Sequence, residues 1–335
     1  MPEDDLPGTV SERSALNKPV LCLGILVVDL VGKPLRSLPD LGRLVLVDEM
    51  GLYTGGCASN AAIAVARLGL PVDIMGKIGV DALGDFFLGE LQKRGVGTRA
   101  VLRDPEVGTS GTMVLVDPGG ERRFVHFIGA NARFRLEDVN FELIARAGIL
   151  HIGGALVLPG LDGEPMAEVL KRARQSGLIT LLDVVWDDTG RWMQVLAPCL
   201  PYVDYFIPSL PEGQALTGLE DPDQVARALL EYGIGTVGLK MGADGCLVMT
   251  AQGEALRLPA YEVEVVDATG AGDAFAAGFI AGIWHGWPLE QTARFANAVG
   301  GLNVTGFGAT GGVRPLPETL AFMERTALKK PPPSP

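Results

Sequence analysis

The sequence predicts an α/β protein with a mainly parallel central sheet, helices on both of its faces and a small additional β-sheet. Three observations lead to this fold class. Strand-like runs alternate with helix-like runs along most of the 335 residues. The first strand-like run is continuously apolar, as expected of a strand buried on both faces. Two stretches, 31–56 and 107–130, interrupt the alternation with short strand patterns and with Gly and Pro turns.

The predicted elements follow one another along the chain. The apolar run "VLCLGILVVDL" predicts a buried strand over 20–30. Helical spacing over 59–69 stops at Gly69, and a strand over 72–79 and a helix over 81–95 come next. The remaining strands are predicted over 148–152, 178–185, 203–207 and 236–240, and the remaining helices over 163–176 and 222–232.

The two interrupting stretches predict a small accessory sheet. Within 107–130, "TSGTMVLVDPGGERRFVHFIG" has the pattern of a β-hairpin. Each stretch leaves the α/β body and returns to it, so we expect the two to form a lid together. The sequence contains no internal repeat, and we expect one domain with loose tails over 1–18 and 329–335.

The composition argues against several functional classes. The net charge of −12 and the lack of a Lys/Arg block argue against a nucleic-acid-binding surface. No apolar run approaches the roughly 18 residues that a membrane span needs, and the acidic N-terminus is unlike a secretory signal. The 4 cysteines and 3 histidines are dispersed and match no zinc pattern. We therefore expect reduced, packed thiols in a cytoplasmic protein.

Two glycine patterns match a dinucleotide-binding fingerprint but lack its context. "GIGTVG" over 233–238 and "GFGATG" over 306–311 both fit G-x-G-x-x-G. In that fingerprint the glycines follow a strand and open a helix. The first pattern precedes a predicted strand, and the second leads into prolines. Because a P-loop sequence is missing as well, neither a dehydrogenase nor a Walker-type NTPase is predicted.

The stretch "VVDATGAGDAFAAGF" over 265–279 predicts an anion-binding site. We expect "YEVEVVDA" to form a strand and the apolar run after Gly270, Ala271 and Gly272 to form a helix. Small residues let the backbone approach a ligand, and the first N–H groups of a helix carry the positive end of its dipole. Asp273 in the first turn is either a general base beside the anion or an ordinary helix cap. This loop alone favours neither.

Two further segments are candidates for a ligand site. In "YTGGCASNAAIAVARLG" over 53–69, a Gly-Gly turn precedes a helix begun by Ser59 and Asn60, and an ordinary capped helix would also explain it. Asp29 lies at the carboxyl end of the first predicted strand, where open α/β sheets bind ligands. A lone Asp at a strand end is more often a turn residue.

Together these segments resemble the PfkB, or ribokinase-like, family of carbohydrate kinases over residues 19–328. The resemblance rests on "GGCASNAAIAVARLG" at 55–69, followed by "MGKIGVDALGDFF", and on "VDATGAGDAFAAGF" later in the chain. It implies a ribokinase-like three-layer α/β/α sandwich with a small β-sheet lid. It also implies transfer of the γ-phosphate of ATP to a hydroxyl of a small carbohydrate or polyol.

The resemblance also implies roles for individual residues. Asp273 matches the catalytic base, and the anion hole for the transferred phosphoryl group matches Gly270, Ala271 and Gly272. The positions that match sugar-binding residues are Asp29, Gly55, Gly56 and Asn60. Those that match nucleotide-binding residues are Lys240, Gly242, Asn297 and Ser209.

Cation sites are implied in the same way. Glu212 matches an acidic residue tied to Mg²⁺ through water, although Ser209 stands where the family usually has Asn. A site for a monovalent cation such as K⁺, which prefers oxygen ligands, matches Asp267, Thr269 and backbone oxygens around Asn303, Gly306 and Gly308.

The sequence leaves the acceptor substrate open. Asp183 ends another predicted strand, but without the "DPN" text associated with fructokinase-like members. Arg122 and Arg123 on the lid hairpin could meet an anionic group of a substrate or could simply be solvated.

We expect ATP, Mg²⁺ and a small sugar or polyol as ligands, and a homodimer formed through the lid. One alternative is a nucleoside kinase on the same fold, for which the lid offers the aromatic residues Tyr53, Phe124 and Phe127. The other is a non-catalytic sugar or nucleotide sensor.

Overall fold

The structure, a computed structural model, describes Ala15 and residues 17–329. Most of both predicted tails lies outside these residues. The large sheet has 9 strands in the order β13-β12-β11-β10-β9-β8-β1-β4-β5. Its strands are β1 (Val20–Gly24), β4 (Val72–Gly79), β5 (Gly97–Asp104), β8 (Ile149–Ala155), β9 (Ile179–Val184), β10 (Tyr205–Phe206), β11 (Thr236–Lys240), β12 (Cys246–Thr250) and β13 (Ala255–Leu258). All neighbours pair in parallel except β11–β12 and β12–β13.

A second, 4-stranded sheet forms the lid, in the order β3-β2-β6-β7. Its strands are β2 (Val27–Lys33), β3 (Glu49–Gly55), β6 (Gly111–Val116) and β7 (Arg122–Phe127). The pairs β2–β3 and β6–β7 are antiparallel, and β2–β6 is parallel. Both interrupting stretches of the sequence therefore contribute strands to this sheet, as predicted.

Helices cover both faces of the large sheet, which confirms the three-layer prediction. They are α1 (Cys57–Arg67), α2 (Ala82–Lys93), α3 (Phe141–Arg146), α4 (Glu164–Gln175), α5 (Trp192–Leu196), α6 (Leu210–Thr217), α7 (Pro222–Leu230), α8 (Ala271–His285), α9 (Leu289–Asn303) and α10 (Leu316–Arg325). One buried core joins the sheet to α1, α2, α8 and α9, and a second joins it to helices α3 to α7. Within the described part of the chain, no helix is both long and apolar enough to cross a bilayer.

The first strand predicted by the sequence is in fact two strands, in different sheets. Gly24 ends β1 with a φ of 150°, and a Cβ added there would lie 1.9 Å from the carbonyl oxygen of Gly153. Only glycine fits so close to another backbone. The chain therefore leaves the large sheet at Gly24 and enters the lid at Val27. The predicted position of Asp29 was wrong in consequence, since Asp29 lies on lid strand β2 and not at the carboxyl end of a large-sheet strand.

The strand predicted for "YEVEVVDA" is also wrong. Tyr261 forms an isolated antiparallel bridge with Leu328, and the residues after it have no strand partner among those described. The backbone N–H groups of Val266 and Asp267 donate instead to the carbonyl of Val304, at the end of α9. An apolar sequence here lines a cleft rather than a sheet.

Close contact between α8 and α9 fixes the direction in which α8 points. A Cβ added at Gly278 would lie 2.7 Å from the Cα of Ala296, and one added at Gly282 would lie 2.5 Å from Oγ1 of Thr292. The two glycines thus allow the helix backbones to approach. Because α8 begins at the Gly270 loop, this packing also positions the predicted anion site.

We expect Gly278→Ala to lower the free energy of unfolding by about 1–3 kcal/mol, since the methyl group must push α9 away. Gly89→Ala is the matched control, because Gly89 also lies inside a helix but no atom of the described residues lies within 4 Å of an added Cβ. That change should raise stability by roughly 0.5–1 kcal/mol through helix propensity. Urea unfolding measures both, and equal stability of the two variants would contradict the close packing.

Candidate active site

The predicted anion site is the N-terminus of α8. Gly270 precedes the helix with a φ of 70°, and a Cβ added there would lie 2.1 Å from the carbonyl oxygen of Ala309. The loop therefore packs directly against the 303–309 segment. Residues 270–272 line a cleft of about 720 Å³, which we call the charged cleft because Asp183, Glu212, Lys240 and Asp273 also line it.

Asp273 does not cap α8, although it lies in the first turn. No side chain among the described residues caps this helix end. Instead Oδ2 of Asp273 accepts a hydrogen bond of 2.8 Å from Nδ2 of Asn60 on α1. Burial raises the pKa of Asp273, against the lowering effect of Asn60 and the positive charge of Lys240. The capping alternative raised by the sequence thus has no support in the geometry.

Asn60 is buried, at 5% exposure, and its side-chain amide is only partly satisfied by hydrogen bonds. While Nδ2 donates to Asp273, Oδ1 has no hydrogen-bond partner among the described residues. Buried polar atoms are normally satisfied, so an orphaned acceptor beside a carboxylate indicates a missing partner with a donor group. The helix that carries Asn60 begins at Cys57, not at Ser59 as predicted. The Ser59 hydroxyl donates back to the Gly55 and Gly56 carbonyls, as a serine inside the first turns of a helix can.

A buried ion pair crosses the floor of the charged cleft. Nζ of Lys240, at the end of β11, lies 2.6 Å from Oδ2 of Asp183, near the end of β9. Burial would lower the pKa of Lys240, but the negative charges of Asp183, Glu212 and Asp273 outweigh it and hold that pKa raised. Burial raises the pKa of Asp183 to about 7, although Lys240 opposes the shift. The Lys240 ammonium, whose pKa is held raised, thus lies beside the α8 N-terminus.

Glu212 and Ser209 form the start of α6 at the edge of this cleft. The Glu212 carboxylate accepts a 2.7 Å bond from the backbone N–H of Ser209, and the Ser209 hydroxyl accepts one of 3.4 Å from the N–H of Glu212. This is a capping box. No group of 3 or more acidic, His or Cys side chains among the described residues is arranged to hold a metal ion. The arrangement nevertheless suits Mg²⁺, which usually binds through one or two carboxylates, waters and substrate phosphates.

An apolar cleft of about 330 Å³ adjoins the charged one, and both share Lys240, Gly242 and the 271–272 backbone. Tyr261, Phe275 and Val304 contribute to its walls. Asn297 also lines it, with its amide donating to the carbonyls of Leu258 and Pro259 at 3.4 and 3.3 Å. Together the two clefts make one groove with an apolar end and a charged end. All four predicted nucleotide residues lie along this groove.

The predicted sugar residues lie where the lid joins α1. A Cβ added at Gly55 would lie 2.2 Å from Oδ2 of Asp29, and one added at Gly56 would lie 2.3 Å from the carbonyl of Ile25. Asp29 also lines a cavity of about 140 Å³ beneath the lid, beside Thr112 and Tyr53. Burial raises its pKa, against a hydrogen bond from Thr112.

The predicted monovalent-cation residues also come together, and they include an unexpected partner. Asp267 accepts bonds of 2.8 Å from Thr269 N–H and 2.9 Å from Gly308 N–H. Nδ2 of Asn303 donates to the carbonyl oxygen of Thr269, while Oδ1 of Asn303 is buried without a described partner. The guanidinium of Arg122, from the lid, lies 2.5 Å from Oδ1 of Asp267. Gly306 closes this segment with a bond from its N–H to the Asn303 carbonyl.

Sequence reasoning left several of these contacts unassigned. Asp183 was recognised only as a strand end, and its partner Lys240 is 57 residues away. Cys57 was treated as a packing residue, yet it lines the charged cleft. Phe127 was named with Tyr53 and Phe124 as an aromatic residue that the lid offers to a nucleoside, but it lines a groove on the other face of the lid.

Comparison with known proteins places this geometry in a family. The model of the "pfkB family carbohydrate kinase" matches residues 17–315. The 2-dehydro-3-deoxygluconokinase of Bacillus subtilis is 30% identical over 304 residues, which cover 87% of this chain and 93% of that protein.

Solved structures agree with this assignment. Ribokinase from Thermotoga maritima superposes with a TM-score of 0.80 at 25% identity, covering 92% of this chain and all of that one. An Escherichia coli protein assigned as ribokinase II, solved with ATP and Mg²⁺, gives 0.81 at 25% identity over 92% of this chain and 99% of its own. The protein is therefore a carbohydrate kinase with a ribokinase-like fold, and it belongs to the pfkB family.

Proposed function

We propose that this kinase transfers the γ-phosphate of ATP to a hydroxyl of a small sugar, sugar acid or polyol, with Asp273 as the base. One observation carries the proposal. Asp273 lies in the first turn of α8 without capping it, bonded to Asn60 and beside the anion-binding backbone and Lys240. This is where a base must lie to take a proton from a hydroxyl that attacks a phosphate.

The groove accounts for the binding of ATP. Its apolar end, near Phe275 and Asn297, suits the adenine base, and Gly242 leaves room for the sugar and phosphates. At the charged end, Lys240 faces the terminal phosphates. Mg²⁺, held through water by Glu212 with Ser209 beside it, would neutralise phosphate charge. The similar Escherichia coli structure, solved with ATP and Mg²⁺, supports the same choice of cofactor.

In the proposed reaction the acceptor lies between α1 and the lid. The hydroxyl groups of the acceptor bind to Asp29, Gly55, Gly56 and the free Oδ1 of Asn60. Asp273 accepts the proton of the attacking hydroxyl, and the N–H groups of residues 270–272 stabilise the charge that develops on the transferred group. The lid covers the acceptor and excludes water, which would otherwise compete for the phosphoryl group.

A nucleoside acceptor is the second candidate, because aromatic rings line the cavity under the lid. Tyr53 and Phe307 pack edge to face at 5.9 Å, and Phe124 lines the same space. The four cysteines are free thiols, which supports the cytoplasmic location that we propose.

A coupled assay of ADP release tests the function. It should use ATP and Mg²⁺ with separate panels of sugars, sugar acids, polyols and nucleosides. We expect turnover with a member of one of the first three panels. Turnover with nucleosides alone would replace the sugar proposal, and a lack of ADP release on all of the panels would contradict it.

Asp273→Asn should reduce kcat by roughly 10²–10⁴-fold, since the amide cannot accept the proton, while the affinity for ATP stays close to that of the parent. Steady-state kinetics and calorimetry measure the two quantities. Asp85→Asn is the matched control, because Asp85 also lies in the first helical turn but pairs with Arg103 on the surface. Near-normal kcat in the Asp273 variant would rule out its role as base.

Lys240→Met should weaken ATP binding roughly 10–100-fold by removing a charged donor to the phosphates. It should also lower the free energy of unfolding by about 3–5 kcal/mol, because Asp183 stays buried without its partner. Adding Asp183→Asn should restore much of that stability but not the affinity for ATP. If the double variant recovers both, Lys240 acts on Asp183 alone and does not contact the nucleotide.

We propose a homodimer formed through the outer face of the lid. One apolar row crosses the four strands of the lid, because residues that pair directly between neighbouring strands are all apolar. The row consists of Leu52, Leu30, Met113 and Val125. Met113 and Val125 are 49% and 53% exposed. A second copy of the chain would bury this row.

Met113→Lys and Val125→Lys should therefore yield monomers by light scattering, since each places a charge in the proposed interface. Leu102→Lys, at an exposed position of β5 outside the lid, is the control and should leave the dimer intact. A parent protein that is monomeric with and without substrate would contradict the proposal.

A further inference from the structure

The lid reaches across to the anion-hole loop through one arginine. Arg122 begins β7, and its guanidinium lies 2.5 Å from Oδ1 of Asp267 and also bonds to Oγ1 of Thr269. Arg122 and Thr269 are 147 residues apart in the sequence. Arg122 is 22% exposed at its side chain and Asp267 only 2%. The contact is thus an enclosed ion pair between the two parts of the molecule.

Asp267 needs a positive partner because it is buried. Its carboxylate accepts hydrogen bonds from the Thr269 and Gly308 N–H groups and forms an ion pair with the Arg122 guanidinium. The other lid cation near this point, Lys33, lies over the Phe307 ring and pairs with Glu49. Among the described residues, Arg122 is therefore the cation that pairs with Asp267.

The pair is directly connected to the anion hole. Residues 270–272 follow directly after the segment that contains Asp267 and Thr269. Nδ2 of Asn303 donates hydrogen bonds to the carbonyl of Thr269 at 3.0 Å and to that of Ala309 at 3.1 Å. Gly270 in turn packs on Ala309. Movement of Asp267 would therefore change the direction of the N–H groups that face the transferred phosphoryl group.

We propose that Arg122 is a positioning residue, which binds Asp267 and Thr269 from the closed lid and supplies there the positive charge that a monovalent cation would otherwise supply. This rests on the proposed function of the loop as an anion hole. Guanidinium and K⁺ each carry one positive charge, so they are alternative partners of Asp267. The K⁺ site predicted from the sequence then applies when Arg122 has left the carboxylate.

The shape of the Arg122 guanidinium, as well as its charge, contributes to the proposed positioning of the loop. The guanidinium contacts a carboxylate and a hydroxyl at once, whereas a lysine ammonium is a single point charge on a flexible stem. Lid closure and the order of the anion hole are coupled in this arrangement. Without Arg122, the lid can close over the acceptor while the loop behind it stays loose.

The test compares Arg122→Ala with Arg123→Ala, which removes the same charge from the exposed neighbouring residue. Thermal unfolding and kcat are measured for each protein in about 0.1 M KCl or NaCl, at equal ionic strength. We expect the parent and Arg123→Ala to have the same Tm in both salts. Arg122→Ala should have a Tm at least about 2 °C higher in KCl than in NaCl, since K⁺ now binds the free site.

The kinetic result should follow the same pattern. In NaCl, kcat of Arg122→Ala should fall roughly 10–100-fold because the N–H groups are misplaced, and KCl should restore part of it. Arg122→Lys should fall between the parent and Arg122→Ala. If Arg122→Ala does not fold, Arg122→Gln replaces it, with the same expected salt dependence.

Two results would overturn the proposal. One is an Arg122→Ala protein with parental kcat and no difference between the salts. The other is a parent that KCl stabilises as much as it stabilises Arg122→Ala, since the cation site would then be independent of the arginine. The Tm comparison needs no acceptor, so it decides the question even if the proposed kinase reaction is not found.

Discussion

The largely buried ion pair between Lys240 and Asp183 is the interaction on which the rest of the site depends. Three carboxylates, Asp183, Glu212 and Asp273, act on Lys240, and each would be costly to bury near the others without a positive charge. Asp183 holds Lys240 in place at 2.6 Å. The α8 N-terminus adds a second source of positive potential. The same groups that let Asp273 lie near the phosphates therefore also make the groove fit a polyanion.

The fold brings these groups together by close backbone contacts rather than by long side chains. Gly24 lets the chain pass from the large sheet into the lid, which places Asp29 next to Gly55. Gly278 lets α8 approach α9, and this fixes where the helix N-terminus points. Gly270 seats the anion loop on the 303–309 segment. Each position tolerates no Cβ without movement of a neighbouring backbone, so the site's geometry is set by packing.

Much of the architecture could be predicted because apolar periodicity records which elements are buried, and the strand–helix alternation from 59 to 240 follows it closely. The division of residues 20–30 into two strands could not be predicted from the sequence, since the apolar run continues through Gly24 and only the backbone changes direction there. Asp273 could not be separated from a cap, because a carboxylate suits either role in the first helical turn. The partners of Asp183 and Asp267 were hidden by sequence distance, as ion pairs leave no local pattern.

The most direct test of this account is a crystal structure of the complex with Mg²⁺, a non-hydrolysable ATP analogue and the best acceptor from the assay. The distance to be measured is that from Asp273 Oδ to the nearest acceptor hydroxyl oxygen. The account predicts about 2.6–3.2 Å, with the terminal phosphate facing the N–H groups of residues 270–272. An acceptor hydroxyl directed away from Asp273, or phosphates bound away from α8, would contradict it.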